Sequence, residues 1–365
     1  MKITILYLGK KGAGPVYSLE MAKSLAENCV SLQVLLSDQI ENKNSFVEFF
    51  REKNIVYSFI PTYKDNKIDY ILKSLNFIKF IYIANKIKEF NPNYVYIPMI
   101  SLWAAKIIKF LPKKVKIVTT IHDIVLHKGE QSKYVEKINS YIISRSCKLI
   151  TLSKKFIKEI QVLYNKQESD ICWIAHGNFN YYRPKDYIES KGITKTILFF
   201  GRIHEYKGIS VLLDSMELVE DKEINLVIAG NGTLSRDDEV KIEKIGNRIS
   251  LINRWIKDEE IYTFFQNVDL VVAPYIDASQ SGVVMLAYSF GKPVIVTNTG
   301  GLPEQVFPDT GMIIPAKSSV ELANAINHLY KNEELILQMG RNAFKKANSL
   351  FSWYNLGKQL IDFLK

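Results

Sequence analysis

Apolar residues along this chain of 365 residues follow two patterns that alternate from one end to the other. One is a short run rich in β-branched residues. ITILYL (3–8), LQVLL (32–36), IVYSFI (55–60), YVYIP (94–98), VKIVTT (115–120) and LITLS (149–153) occupy the first half. CWIA (172–175), TILFFG (196–201), INLVIAG (224–230), ISLI (249–252), VDLVVAP (268–274) and VIVT (294–297) occupy the second. The other pattern is amphipathic, with apolar residues one helical turn apart, as at Ile209, Leu212, Leu213 and Met216. A strand that is apolar on both faces must be covered on both. The alternation therefore predicts parallel sheets with helices on each side, an α/β chain.

At about 150 residues per domain, the length suits two doubly wound, Rossmann-like domains. Residues 1–180 are expected to form the first and 181–349 the second. The polar stretch NFNYYRPKDYIESKG (178–192) lacks either apolar pattern and reads as the linker. Such sheets bind ligands at the carboxyl ends of their strands, and two domains facing a central cleft would place the site between them.

Composition narrows the function classes. Apolar residues make up 47% and charged residues 24%, which excludes a disordered chain. No apolar run reaches the ~20 residues of a membrane span. The opening MKITILYLGKKGAG has too short an apolar run for a secretory leader. Cys29, Cys147 and Cys172 are scattered and odd in number, which argues against a disulfide framework or zinc site and for a cytoplasmic location. The net charge of +10 is one-sided. Residues 1–180 hold 27 Lys+Arg against 15 Asp+Glu (+12), and the remainder 21 against 23 (−2). The excess peaks over 70–120, where aromatics such as Tyr70, Phe77 and Trp103 are interleaved with lysines. A basic, aromatic region suits an anionic membrane surface. Nucleic acid is not expected, because no recognition motif accompanies the charge.

The strand ends carry the candidate chemistry. After the first run, LGKKGAGPV offers Gly12 and Gly14 for close backbone approach to a ligand, with a helix following. After the fifth, IHDIVLH places His122 where a ring nitrogen can donate to a hydroxyl or to developing negative charge. His127 follows five residues on, a spacing that does not make a metal pair on one helical face. GRIHEYKG sets Arg202 and Lys207 just before a helix start, which suits a diphosphate. AGNG supplies Gly230 and Asn231, and Trp255–Ile256 precedes the acidic helix start Asp258–Glu260. YIDASQSGV offers Asp277, Ser279 and Gln280, then the backbone of Ser281, Gly282 and Val283 at a helix N-terminus. TGGLPE adds a close turn ending at Glu304.

Taken together, the order GR…KG, AGNG, a helix led by DEE, then PY…SG…AYSFGKPVIVT…GGLPE, and a closing aromatic FSWYNLGKQL resembles retaining glycosyltransferases of the GT-B fold. The likeness is to family 4 of those enzymes, the bacterial group 1 glycosyltransferases, and is most specific over 196–304. It implies transfer of a sugar from a UDP- or GDP-sugar to a hydroxyl in an interdomain cleft, with no metal or other cofactor. It implies that Arg202 and Lys207 hold the diphosphate and that His122 contacts the donor sugar. The 281–283 backbone would bind phosphate or sugar hydroxyls, and the segment at Ile256 would hold the base. The last helix, about 350–365, would pack back on the first domain. With the basic first half, the implied acceptor is a glycan precursor on a polyprenyl-diphosphate lipid, in surface polysaccharide synthesis at the inner membrane face. The alternatives are a non-catalytic GT-B subunit and a sugar-nucleotide epimerase. The chain departs from the usual Glu-x7-Glu pair: counting back from Gly291, the two positions hold Leu286 and Ala278.

Overall fold

The computed structural model describes residues 1–64, 66–124, 132–187 and 192–365. They form two compact units, Met1–Ala175 with Trp353–Lys365, and His176–Ser352.

The first unit is built on seven parallel strands: β1 (Lys2–Tyr7), β2 (Ser31–Ser37), β3 (Val56–Ile60), β4 (Tyr94–Ile97), β5 (Lys116–Ile121), β6 (Lys148–Thr151) and β7 (Ile171–Trp173). Their order is β3-β2-β1-β4-β5-β6-β7. β1 buries every residue but its first, as a strand covered on both faces must. The connecting helices are α1 (Ala13–Glu27), α2 (Lys43–Lys53), α3 (Lys67–Ser74), α4 (Phe77–Phe90), α5 (Leu102–Lys109), α6 (Lys133–Arg145) and α7 (Ile157–Tyr164). Local chemistry sets their ends. The side chains of Asn66, Asn76 and Ser101 accept backbone N–H groups at the starts of α3, α4 and α5. Asn54, Asn91 and Asn165 take the left-handed conformation that stops α2, α4 and α7.

The second unit has six parallel strands: β8 (Thr196–Phe200), β9 (Asn225–Gly230), β10 (Ile249–Asn253), β11 (Leu270–Ala273), β12 (Val294–Thr297) and β13 (Gly311–Ile314). Their order, β10-β9-β8-β11-β12-β13, reverses direction between β8 and β11. The loops after those two strands therefore flank the crevice where such sheets take ligands. Its helices are α8 (Ile209–Leu218), α9 (Arg236–Ile245), α10 (Ile261–Gln266), α11 (Gly282–Ser289), α12 (Ser319–Tyr330) and α13 (Glu333–Asn348).

The last helix, α14 (Trp353–Leu364), belongs to the first unit. Gly357 lies so close to α1 that a Cβ there would sit 2.0 Å from Ser24 Oγ. The Ser24 hydroxyl donates to the Trp353 carbonyl (2.5 Å), and Tyr94 donates to that of Leu364 (2.7 Å).

Two details differ from the sequence pattern. β13 carries no long β-branched run; GMII is short and is strand only because it pairs with β12. The polar stretch from 178 is not free linker at its start. Asn178 and Phe179 are buried, the Asn178 side chain donates to the Ala347 carbonyl, and the Phe179 N–H donates to Ser289 Oγ on α11. Tertiary docking there replaces any local periodicity.

Candidate functional site

In the second unit the loops after β8 and β9 meet backbone to backbone. A Cβ on Gly230 would lie 1.7 Å from the Gly201 carbonyl, and one on Gly232 1.9 Å from that of Ile203. The Ile203 N–H donates to the Asn231 carbonyl at 3.0 Å. Asn253 holds the outer loop by accepting from the Gly232 N–H and donating to its carbonyl, both at 3.1 Å. Gly230 is thus a packing glycine. Asn231 is exposed beside it.

The turn that follows β8 carries the cations. Arg202 is exposed, and its guanidinium donates to the Tyr206 hydroxyl at 3.3 Å. Lys207 places its ammonium 3.7 Å from the centre of the buried Tyr275 ring and 5.1 Å from that of Tyr206. Among the described residues this ammonium makes no ion pair. An aromatic face holds a cation without cancelling its charge, so Lys207 is positioned yet open to an anion.

Tyr275 links that cation to the start of α11. Its hydroxyl lies 3.2 Å from Ser281 Oγ, and that oxygen caps the helix by accepting the Val283 N–H at 3.2 Å. Gln305 clamps the same residue from below, accepting the Ser281 N–H at 2.8 Å and donating to its carbonyl at 3.1 Å. The expectation of open N–H groups from Ser281 onward therefore changes. Those of Ser281 and Val283 are satisfied internally, which leaves Gly282 as the one of these three with an open donor. The loop between is tied to the cationic turn as well: the Ile276 N–H donates to the Tyr206 carbonyl at 2.8 Å.

Asp277 is exposed on that loop. Ser279 is buried, and its carbonyl accepts the Gly301 N–H, which joins the loop to the turn that ends at Glu304. The Gln280 side-chain oxygen is buried with no hydrogen-bond partner among the described residues, and the same holds for His204 Nδ1 in the cationic turn. Ile256 is buried, so only its backbone could face a ligand, whereas Trp255 stands exposed beside it. The two positions where the resemblance would place acids are apolar and buried, Ala278 in the loop and Leu286 on α11.

Gly12, Gly14 and His122 lie in the other unit. Gly9 and Gly14 both rest on the Tyr7 ring, where a Cβ would come within 2.3 Å of the hydroxyl oxygen. The Gly12 N–H, expected to face a ligand anion, donates instead to the Glu41 carboxylate at 3.2 Å. Burial, then the Glu41 charge, push the Tyr7 pKa well up. His122 donates from Nε2 to the Pro98 carbonyl at 2.8 Å. Burial lowers its pKa against the opposing pull of that bond and of Asp123. A neutral ring bonded through Nε2–H leaves Nδ1 as an acceptor, so His122 can take a hydrogen bond from a hydroxyl rather than give one. His127 lies outside the described residues. Among those described, no three His, Cys, Asp or Glu side chains gather as metal ligands.

Sequence reasoning missed five contributors. Tyr206 and Tyr275 look like core aromatics in sequence, yet their faces hold Lys207. Gln305 gave no signal, since its role depends on the fold bringing residues 24 apart together. Phe179 lay in the supposed linker, and His176 just ahead of it. Both side chains come up against Gly282, and their rings meet at a tilt, 4.9 Å between centres.

Residues 194–332, all within the second unit, match the family of group 1 glycosyl transferases. An uncharacterized glycosyltransferase of Methanocaldococcus jannaschii is 25% identical over 251 residues, 65% of this chain and 64% of the relative. An O-antigen chain mannosyltransferase C of Escherichia coli is 26% identical over 246 residues, 65% of each. The chain spans less than two thirds of the length of both relatives. Among solved structures, Anabaena HepE in complex with UDP superposes with a TM-score of 0.72 at 19% identity, covering 100% of this chain and 99% of that one. The chain has the GT-B fold, and its second unit is similar to the group 1 glycosyl transferases.

Proposed function

We propose that this protein transfers a sugar from a UDP- or GDP-sugar to a hydroxyl, with retention of configuration and without a metal ion. The acceptor we favour is a glycan precursor on a polyprenyl-diphosphate lipid, used for bacterial surface polysaccharide. The observation that carries the reading is the Lys207 ammonium, held on Tyr275 with no ion pair among the described residues, beside Arg202 and the α11 N-terminus. Breaking the anomeric bond places negative charge on the departing nucleotide. Two fixed cations stabilise that charge more than they stabilise the intact donor, which is how such a site accelerates the reaction. The UDP bound by HepE and the sugar transfer of the Escherichia coli relative support the same reading. No sequence motif supplies a dedicated carboxylate nucleophile, which favours front-face substitution over a double displacement. His122 would accept a hydroxyl proton of the donor sugar at Nδ1.

The test is direct. UDP or GDP should raise the melting temperature, because a ligand that binds only the folded state stabilises it. Lys207→Ala and Arg202→Ala should each abolish most of that shift and lower turnover of the donor by roughly 100-fold or more. Full turnover by both variants would refute the assignment. Nucleotide binding with no transfer or hydrolysis of any UDP- or GDP-sugar would favour a non-catalytic subunit, which the absent acid pair makes the leading alternative. EDTA should leave turnover unchanged.

A further inference from the structure

The basic stretch over 70–120 does not form one charged face. Lys73 donates to the Thr62 carbonyl at 3.0 Å and pairs with Asp69, Lys79 donates to the Pro61 carbonyl, and Lys106 donates to that of Ser74. These lysines bolt α3 and the start of α4 onto the first unit. Lys113 and Lys114 precede β5, at the end of the sheet away from the strand C-termini.

What they hold in place is apolar. α3 buries only Ser74 among its described residues, and Ile68, Ile71, Leu72, Leu75, Phe77 and Ile78 all stand in solvent, Ile78 with 81% of its surface exposed. Tyr82 continues the face one turn on. Isolated surface apolar residues need no explanation, but a run of this size on two consecutive helices does. The rim is cationic: Lys64, Lys133 and Lys137 are exposed, with Glu136 the one exposed acid on the adjoining turn of α6. A groove of about 690 Å³ opens beside the helix pair between the edge strand β3 and α4, with Tyr57, Phe59 and Tyr82 along it and Lys79 and Lys86 at its wall.

The place of the patch in the fold matters as much as its chemistry. α3 and the start of α4 follow the C-terminal end of β3, on the side of the sheet where Gly12, Gly14 and His122 lie. Rings connect them. Lys10 sits 3.9 Å over Tyr63, and Tyr63 meets Tyr70 of α3 edge-to-face at 4.5 Å. Tyr134 of α6 is near enough to Tyr70 to help push its pKa up to about 12, after burial and Tyr63.

We infer that residues 67–82 are an insertion element that seats the apolar faces of α3 and α4 in an anionic bilayer, presenting the glycine-rich turn of the first unit to lipid-borne substrates. An apolar face rimmed by lysines matches the interface of an anionic leaflet: acyl chains take the side chains, and headgroups meet the cations. Insertion, rather than charge alone, is the new element. The inference rests on the proposed function only for the identity of the substrate.

The experiment uses the full chain with vesicles of phosphatidylglycerol and phosphatidylcholine, and with vesicles of phosphatidylcholine alone. Wild type should float with the anionic vesicles and keep part of its binding at high salt. Ile71→Asp combined with Ile78→Asp should weaken binding roughly tenfold or more, with an unchanged melting curve and an unchanged shift by UDP or GDP. That nucleotide readout separates failure of this inference from failure of the transferase reading. Phe77→Trp should be quenched by brominated acyl chains. Binding equal to wild type in the double Asp variant, or no quenching of the added Trp, would overturn insertion. So would a protein that is dimeric without lipid and becomes monomeric in the double variant, since the patch would then join two copies.

Discussion

Gly208 joins the two walls of the candidate site, and replacing it with alanine tests that geometry. Its backbone is left-handed (φ 73°, ψ 28°) at the cap of α8, and an added Cβ would lie 2.0 Å from the Pro274 carbonyl oxygen, far inside the 3.0 Å that Cβ atoms observe. The backbone term alone is about 1–2 kcal/mol. Relief of the clash, by moving either the 202–208 turn or the 274–281 loop, adds about 1–3 kcal/mol. At ~2–4 °C per kcal/mol for a unit of this size, the melting temperature should fall by roughly 4–20 °C. Gly246→Ala is the control: its φ is also positive, 71°, but nothing lies within 4 Å of an added Cβ. It should lose only the backbone term of its own conformation (ψ −135°), about 1–3 kcal/mol, and keep the stabilisation by UDP or GDP. Gly208→Ala should lose most of that stabilisation, because Lys207 and Tyr275 sit on opposite sides of the clash. Calorimetry or circular dichroism with and without nucleotide reads both effects. A Gly208→Ala protein that melts no lower than Gly246→Ala and binds nucleotide fully would refute the claim that close contact at Pro274 sets the site.

Two further predictions follow from named contacts. Gln305→Leu leaves the Ser281 N–H and carbonyl buried without partners, at about 1–3 kcal/mol each. It should lower the melting temperature and weaken nucleotide binding together; unchanged binding would mean that α11 does not need its clamp. For His122, burial lowers the folded pKa below its ordinary 6.5. The unfolded chain therefore takes up a proton first as pH falls. The stability from a neutral His122 is complete above 6.5 and is lost between 6.5 and the lower folded value. The melting temperature of wild type should drop faster than that of His122→Asn across that window, and parallel curves would show that burial does not control the ring.

The sheets were legible because parallel strands buried on both faces must be written as apolar runs, and twelve such runs lie on observed strands. β13 was not, since its pairing with β12 makes it a strand while GMII alone does not. That Arg202, Lys207 and Gly208 share one turn was readable because an apolar run ends before them and an amphipathic one begins after them. Tyr275 and Gln305 were not, because an aromatic that carries a cation and a core aromatic look alike until the fold is known. The glycine-rich turn misled in a specific way. Its form suits an anion, and Glu41, distant in sequence, already supplies one to Gly12. Lysine density misled as well, since Lys73, Lys79 and Lys106 spend their donors on backbone carbonyls.

The missing acid pair can now be argued from packing. Leu286 is 5% exposed on a helix whose residues 284–289 are all buried, and Ala278 is 4% exposed in a loop whose carbonyl lies against Gly300. These are positions the fold has filled with hydrocarbon, so restoring one acid should not restore a ligand contact. In Leu286→Glu the carboxyl would lack a partner, and burial would raise its pKa by about 3 units, a cost of roughly 4 kcal/mol at neutral pH. The sign is definite. The unfolded chain gives up its proton near a pKa of about 4.3, while the folded chain holds it to higher pH. The deficit relative to wild type should therefore grow as pH rises from there to the folded value, then level off. Melting curves at pH 4 and pH 8 measure that growth, and nucleotide titration measures the contact. A Leu286→Glu protein as stable as wild type at both pH values, binding UDP more tightly, would show that the position opens onto the ligand. Loss of stability with rising pH and no gain in binding would place recognition of the donor's charge on Arg202, Lys207 and the Gly282 N–H instead.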